Sequence, residues 1–267
     1  MIKSINNKRI KGLILSTVLF SATAISAKIN IVTEHLAPFQ IVTKNSIGGL
    51  STEIVEATLK EANIAYNIQA HPWSISYNRA LKEENLCIYS LARIPERKAL
   101  FQWVGHLSDS TISLYTLSHR SITIDNLAQA KNYKVAVIKD DVTHHFMLSR
   151  GFEENINLYV MNNYDALLNL LETPNRHIDL VLLNDDLLNN RLKNSSKAAK
   201  YKSVYLIDEL TLNFHFACSL NTGKAIVTPL VQAMTTLEEQ GAFTEIKNKW
   251  QKNMVNLIKV TETKNAN

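Results

Sequence analysis

Residues 92–105 read ARIPERKALFQWVG, and this stretch sets the architecture of the chain. It follows an apolar run, residues 86–91, which is typical of a buried strand. A proline between Arg93 and Arg97 ends that strand. Because α/β proteins bind ligands beyond the carboxyl ends of their strands, the stretch predicts fixed positive charge at the mouth of a binding cleft.

The first 27 residues have the layout of a secretory signal peptide. Four cations and no acids are followed by an apolar block, residues 12–24, and then by small residues through Ala27. A spanning helix needs about 20 apolar residues, so the block is short for a retained anchor, although that alternative stays open. No cysteine lies near the cleavage region to carry a lipid. We therefore expect a secreted, periplasmic protein without a lipid anchor.

The charge of the chain argues against a nucleic-acid partner. The formal net charge is +5, but the leader supplies four cations, so the rest of the chain is nearly neutral. No basic stripe with interleaved aromatic residues follows the leader. The basic pI of about 9.0 therefore reflects the leader.

Cys87 and Cys218 are the only two cysteines, and each lies in an apolar, strand-like run. Export would place them in an oxidising compartment. Two separately buried thiols are the favoured interpretation, and a disulfide is the alternative, because bridging depends on geometry that the sequence does not give.

Strand-like and helix-like segments alternate after the leader, which predicts an α/β fold. Two such series are separated by an extended segment at 111–117, and a second extended segment follows at 212–220. This pattern predicts that the chain leaves one lobe, builds a second and returns. The expected binding site is the cleft between the lobes.

Four stretches resemble the family-3 bacterial extracellular solute-binding proteins, which deliver amino acids to ABC importers in the periplasm. They are TEHLAPF (33–39), GLSTEIV (49–55), IPER (94–97) with Phe101, and residues 217–220 with 237–250. The resemblance runs from residue 28 to 252. It implies the type II periplasmic-binding-protein fold, in which two α/β lobes joined by a two-strand hinge close on a ligand, and a monomer.

The expected organisation has three parts. Residues 1–27 form the signal peptide, residues 28–115 and 215–267 form lobe 1, and residues 116–214 form the inserted lobe 2.

Arg97 is the first candidate ligand-binding residue. Its guanidinium offers two parallel donors to a carboxylate and stays charged at physiological pH. The resemblance implies the same role, since Arg97 stands at the motif arginine; the alternative is a surface ion pair with Glu96. Arg93 either lines the cleft or points outward.

Two further candidates lie at strand ends. Ser90 can donate a hydroxyl to the same carboxylate, or be satisfied by backbone. Thr143 and neighbouring backbone amides lie between a strand and a helix, where a helix start can bind an anion. Asp141 beside them is interpreted as a helix cap rather than a ligand contact.

Asn184 stands where the resembling family commonly has an aspartate for the ligand amino group, which is a departure from the pattern expected for an α-amino acid. Asp185, adjacent to it, and Glu34 on the opposite wall are candidate replacement acceptors; for Glu34, capping or a surface role is an equal alternative. Trp73 is a candidate stacking face, with core packing as the alternative. Arg79 either approaches the cleft or covers a helix face.

No metal or cofactor site is expected, since no CxxC, HExxH or phosphate-binding glycine-rich loop is present. The main hypothesis is a non-enzymatic binding protein for a small carboxylate-bearing solute, working with an ABC permease. The alternatives are a dehydratase resembling cyclohexadienyl dehydratases on the same fold, and a module that presents ligand to a membrane sensor.

Overall fold

The computed structural model describes residues 28–173, 176–192 and 198–251. The expected signal peptide lies outside these residues. No helix within the described ranges is long and apolar enough to cross a membrane.

The described chain forms two five-stranded sheets and a short hairpin. The strands are β1 (Ile29–Thr33), β2 (Ile41–Val42), β3 (Ile47–Gly48), β4 (Tyr66–Ala70), β5 (Leu86–Ala92), β6 (Phe101–Ser110), β7 (Ile112–Leu117), β8 (Val135–Ile138), β9 (Leu158–Met161), β10 (Leu180–Asn184), β11 (Tyr201–Leu206) and β12 (Leu212–Ser219). The helices are α1 (Leu50–Glu61), α2 (Trp73–Lys82), α3 (Val142–Ser149), α4 (Tyr164–Glu172), α5 (Asp185–Leu192) and α6 (Lys224–Glu239), and residues 242–251 are helical too.

The first sheet has the strand order β4-β1-β5-β12-β6. Strand β1 lies parallel to β4 and β5, whereas the returning strand β12 runs antiparallel to β5 and β6. All seven residues of β5 are buried, which explains its continuous apolar sequence.

The second sheet has the order β11-β7-β10-β8-β9. Its parallel strands β8, β9 and β10 alternate with helices α3 and α4, while β7 runs antiparallel to β10 and β11. The α/β architecture expected from the alternating pattern is confirmed.

The chain changes sheets close to residue 111 and again between residues 206 and 212. Strand β7 joins the second sheet from Ile112, which pairs with Asn184, and β12 joins the first sheet from Leu212, which pairs with Ser110. The lobe boundaries expected at 115/116 and 214/215 therefore cut through β7 and β12. Strand pairing, rather than the length of an extended run, fixes where each segment belongs.

The first helix begins without a side-chain cap. Ser51 is a natural cap residue by type, but it lies buried inside α1, and Gly49 is the N-cap. Gly49 has φ +114°, and a Cβ at this position would lie 2.5 Å from the Phe39 carbonyl oxygen. That carbonyl accepts the Ser51 amide at 2.8 Å, so backbone replaces the side-chain cap.

Cys87 and Cys218 are joined by a disulfide with an S–S distance of 1.98 Å, so the favoured interpretation of two separate thiols was wrong. The two residues face each other across β5 and β12. This register, set by the antiparallel pairing, brings together two cysteines that are 131 residues apart.

Candidate functional site

A small cavity lies between the two sheets and draws its walls from both. We call it the inner cavity. Its volume of about 10 Å³ leaves space for roughly one water molecule. Its polar and aromatic lining residues are Glu34, Trp73, Ser90, Arg97, Asp141, Thr143, Tyr164 and Asn184, and its apolar lining residues are Leu36, Ala92, Ile112, Leu182, Leu212 and Phe214.

Arg97 is placed by a single 3₁₀ turn, Pro95–Arg97, immediately after β5. Only 2% of the residue is exposed, which is rare for arginine. Its guanidinium carbon lies 4.7 Å from the ring centre of Tyr77 and 5.3 Å from that of Trp73, so two aromatic faces hold the cation. The outward alternative, a surface pair with Glu96, is not what the structure shows.

The donors of Arg97 are not all used. Nη2 lies 3.4 Å from the carbonyl oxygen of Asp140, at the outer limit of a hydrogen bond. Nη1 is buried and has no hydrogen-bond partner among the described residues. An arginine that carries charge into a closed cavity with a free donor is suited to receive an anion.

Trp73 bridges the two halves of the cavity wall. It begins α2, on the side of the first sheet, and its indole Nε1 donates a 2.9 Å hydrogen bond to the carbonyl of Asp140, which follows β8 of the second sheet. Its ring stacks on Tyr77 with 5.6 Å between the ring centres. Trp73 is 3% exposed, so it packs in the core and lines the cavity at once.

Asp141 is the N-cap of α3, as its position after a strand predicts. Its carboxylate accepts the Val142 amide at 2.6 Å and the Thr143 hydroxyl at 3.1 Å. The Val142 amide and the Thr143 hydroxyl, two of the donors expected for a ligand anion, are thus bound to Asp141 in this closed form. Burial raises the pKa of Asp141, and the nearby Arg97 opposes that rise.

Glu34 follows β1 and is buried on the wall opposite Asp141. No described residue donates a hydrogen bond to its carboxylate. Burial raises its pKa well above the usual value, the negative charge of Asp141 adds to the rise, and Arg97 partly offsets it. Glu34 is the acid of this site that is least stabilised in its charged form.

Asn184 ends β10 and enters the cavity from the second sheet. Its Oδ1 accepts the Leu187 amide at 2.9 Å at the start of α5. Because that bond needs an oxygen, the orientation of the amide is fixed. The Nδ2 group is buried without a described partner. Asn184 therefore offers the cavity a donor, and not the acceptor that a ligand amino group requires.

Ser90 lines the cavity from β5 in a left-handed conformation, with φ +56°. Its hydroxyl donates to Gln40 Oε1 at 2.8 Å, so its proton is bound within the protein. Ser90 can still accept a hydrogen bond from a ligand, which differs from the expected donor role.

Three predicted residues do not reach the inner cavity. Arg79 is bound to Glu83, Gln69 and His71 on the outer side of α2. Asp185 accepts the hydroxyl of Tyr115 at 2.7 Å, and that of Thr111 as well. Arg93 is exposed and lies 5.2 Å from the ring centre of Trp103. The position of a residue on a strand or helix predicts whether it lies near the cavity. The direction of its side chain decides whether it lines the cavity.

Tyr77 and Tyr164 were missed by the sequence analysis. Tyr77 follows Trp73 by four residues on α2, the spacing that places two side chains on one helix face. Tyr164 begins α4 and lines the inner cavity, and burial together with Asp141 and Glu34 raises its pKa well above the usual value. Nothing in the local sequence around Tyr164 distinguishes it from a surface residue.

Two interlobe grooves adjoin the inner cavity. One, of about 330 Å³, shares Glu34 and Tyr164 with it, and we call it the outer groove. The other, of about 750 Å³, shares Arg97 with it. Within the described ranges, no three His, Cys, Asp or Glu side chains cluster to hold a metal ion.

Comparisons with solved structures identify the fold. The chain is similar to the arginine-, lysine-, histidine-binding protein ArtJ from Geobacillus stearothermophilus, with a TM-score of 0.71, 16% identity, and coverage of 84% of this chain and 95% of that one. It is similar to an ABC uptake transporter substrate binding protein from Streptococcus pneumoniae with bound histidine, with a TM-score of 0.70, 18% identity, and coverage of 84% and 92%.

A histidine kinase sensor domain with similarity to periplasmic binding proteins is alike to the same degree, with a TM-score of 0.71, 14% identity, and coverage of 84% and 95%. At these identities the likeness shows the fold, and the expected type II periplasmic-binding-protein fold is confirmed. A comparison with curated protein sequences gave no match.

The family comparison covers nearly all of the described chain. The sequence profile of the bacterial extracellular solute-binding proteins, family 3, matches residues 29–253. That match includes both sheets, the disulfide and every residue of the inner cavity. The resemblance seen in the four short stretches is confirmed, and the chain belongs to the family-3 bacterial extracellular solute-binding proteins.

Proposed function

We propose that this protein captures a small solute carrying a carboxylate, an amino acid or a related compound, between its two sheets in the periplasm. We further propose that it delivers this solute to an ABC permease of the inner membrane. Membership in the solute-binding family supports a binding role. The similar proteins named for arginine, lysine and histidine support an amino-acid-like solute.

The observation that carries this proposal is the free Nη1 donor of Arg97. It is buried, charged and without a described acceptor. Leaving such a donor unsatisfied costs about 1–3 kcal/mol, and more when the group is charged. A ligand carboxylate would supply the missing acceptor and cancel the charge. The buried Nδ2 of Asn184, from the other sheet, is placed on the same cavity and can serve a carboxylate as well.

Capture requires the two sheets to separate first. A volume of about 10 Å³ is too small for any amino acid, so the form described here is closed. Within the described ranges, the chain passes between the two sheets at two short stretches, residue 111 and residues 207–211. Rotation at these crossings would expose Arg97 to water. Closure around a solute would then replace that water with protein donors.

A thermal-shift screen of amino acids, short peptides and small organic acids tests the proposal. We expect at least one carboxylate-bearing compound to raise the melting temperature of the purified protein. We expect Arg97→Ala to abolish that rise while retaining the ligand-free fold. Equal stabilisation of the variant and the natural protein would reject the assignment of Arg97.

A ligand-presenting sensor module is the second candidate, because a sensor domain of a histidine kinase shares this fold. Both candidates use the same binding chemistry. Uptake of the identified solute, measured in cells with and without the gene, separates them. Loss of uptake on deletion supports transport, and unchanged uptake with altered transcription supports sensing.

A further inference from the structure

We propose that the site selects a solute of net charge +1, with one carboxylate and two cationic nitrogen groups, and that Glu34 binds one of those cations. This inference rests on the proposed function and names its solute class. It predicts basic amino acids over neutral or acidic ones.

The charges that line the inner cavity carry the inference. Among its described lining residues, Arg97 is the only cation, and it faces two acids, Glu34 and Asp141. The two acids enter from opposite sides: Glu34 follows β1 of the first sheet, and Asp141 follows β8 of the second. Closing the cleft therefore brings two carboxylates into one small cavity.

The two acids differ in how the protein stabilises them. Asp141 accepts hydrogen bonds from the Val142 amide and the Thr143 hydroxyl, and it stands at the positive end of α3. Glu34 accepts none from the described residues. A buried carboxylate is costly unless it is paired and hydrogen-bonded, so Glu34 needs a partner that the protein does not provide.

Binding of a carboxylate makes the imbalance larger. The ligand carboxylate neutralises Arg97, which leaves Glu34 and Asp141 with no cation of the protein beside them. The single ammonium of a neutral amino acid would compensate one of them. A second cationic group would compensate both, so a solute of net charge +1 gives a neutral site.

The remaining amide cannot replace Glu34 as the acceptor. Asn184 has its Oδ1 committed to the Leu187 amide, and only its donor faces the cavity. An ammonium placed beside that Nδ2 would meet another donor. We therefore place the cation beside a carboxylate rather than beside Asn184.

Space for a longer cationic side chain lies next to Glu34. The outer groove, of about 330 Å³, shares Glu34 and Tyr164 with the inner cavity. Two charged residues that line this groove, Asp165 and Arg191, form an ion pair with each other. The other titratable residues in its described lining are Glu34, Tyr164, His35 and His71. A solute anchored on Arg97 can thus pass Glu34 and extend into this groove.

Isothermal titration of the purified protein with L-lysine, L-arginine, L-glutamine and L-glutamate at one pH tests the inference. We expect L-lysine or L-arginine to bind at least tenfold more tightly than the other two. We expect Glu34→Gln to weaken binding of that basic amino acid at least tenfold, with a change below threefold for L-glutamine. Glu83→Gln, the same substitution in the surface pair with Arg79, should leave both affinities unchanged.

The outcomes separate this inference from the proposed function. If L-glutamine, L-glutamate or another carboxylate binds as tightly as the basic amino acids, and Arg97→Ala abolishes that binding, charge selection is wrong and the proposed function stands. If no carboxylate-bearing compound binds, both are wrong. If Glu34→Gln does not fold, the selectivity of the natural protein among the four amino acids tests charge selection by itself.

Discussion

The protein has two arginine–tryptophan pairs, Arg93 with Trp103 and Arg97 with Trp73, and their arginines are four residues apart in the sequence. One pair lies at the surface and the other is buried. The guanidinium of Arg93 lies 5.2 Å from the ring centre of Trp103, and that of Arg97 lies 5.3 Å from the ring centre of Trp73. Each indole donates a 2.9 Å hydrogen bond to a backbone carbonyl. Arg93 is exposed, whereas Arg97 is buried.

The comparison sets the arginine proposed to bind the ligand against a surface arginine. Trp103 bonds to Lys98 in its own lobe, and water can satisfy Arg93. Trp73 bonds across to Asp140, and the Nη1 of Arg97 is buried without a partner among the described residues. The same chemical pair is complete at the surface and incomplete in the cleft. The missing part is an acceptor, which a ligand would bring.

Replacing each arginine by lysine should give the largest difference between the two pairs. Lysine keeps the charge and loses the planar, two-donor geometry. We expect Arg97→Lys to weaken binding of the best solute by about 2 kcal/mol, or roughly 30-fold. Arg93→Lys should change affinity by less than about twofold. Titration calorimetry on both variants measures the difference, and similar losses in the two would remove the distinction.

Asn184→Asp tests the second free donor of the cleft. Aspartate keeps the oxygen that accepts the Leu187 amide, so the start of α5 is retained. It replaces the buried NH₂ with a negative charge facing the ligand carboxylate. We expect affinity for the solute to fall about tenfold, since a hydrogen bond to a charged group is lost.

Asn126→Asp is the matched control for that change. Asn126 also caps a helical turn through its side-chain oxygen, accepting the Gln129 amide, but it does not line the cavity. Its variant should bind the solute normally. A rise in affinity for Asn184→Asp would show that this position faces the ligand amino group instead.

Phenylalanine at each tryptophan tests the indole hydrogen bonds. Trp73→Phe removes the bond that joins the lobes through Asp140, and it keeps most of the aromatic face under Arg97. A neutral hydrogen bond is worth about 1 kcal/mol, so we expect roughly fivefold weaker binding through a less stable closed form. Trp103→Phe removes a bond within one lobe and should leave affinity unchanged. Equal effects on affinity would mean that the Trp73–Asp140 bond does not contribute to closure.

Glu34→Gln should stabilise the ligand-free protein at neutral pH. The pKa of Glu34 is raised on folding by burial and by Asp141, with Arg97 opposing and Tyr164 as the remaining titratable neighbour in the cavity. A raised acid pKa gives stability that is present at low pH and is lost as pH rises from the ordinary glutamate range through the folded pKa.

Glutamine removes that loss, so the melting temperature of Glu34→Gln should exceed that of the natural protein at pH 7–8. The difference should shrink toward pH 4. Glu83, whose pKa is lowered by Arg79, should show no such gain when changed to glutamine. A pH-independent difference for Glu34→Gln would contradict the raised pKa of the buried Glu34 carboxyl.

The sequence predicted those features that depend on neighbouring residues in the chain. Strand β5 ends at Ala92, shortly before the Pro95–Arg97 turn, and Asp141 caps α3, as expected from the sequence. The strand runs and their alternation with helices gave the α/β architecture.

Properties that depend on distant partners were not predictable. The Cys87–Cys218 bond follows from strand register between segments 131 residues apart. The sequence position of Arg79 allows it to approach the cleft or to cover a helix face, and its bonds to Glu83 and Gln69 keep it away from the inner cavity. Tyr77 contacts Arg97 and Tyr164 lines the inner cavity because of how their helices pack and where their side chains point. Neither is encoded in a short motif.

A crystal structure of the protein with the best solute from the screen tests the central claim most directly. It should show a carboxylate oxygen about 2.7–3.0 Å from Arg97 Nη1, with the guanidinium still stacked on Trp73 and Tyr77. A bound solute with no acceptor on Arg97, or a guanidinium turned out to solvent as in Arg93, would contradict it.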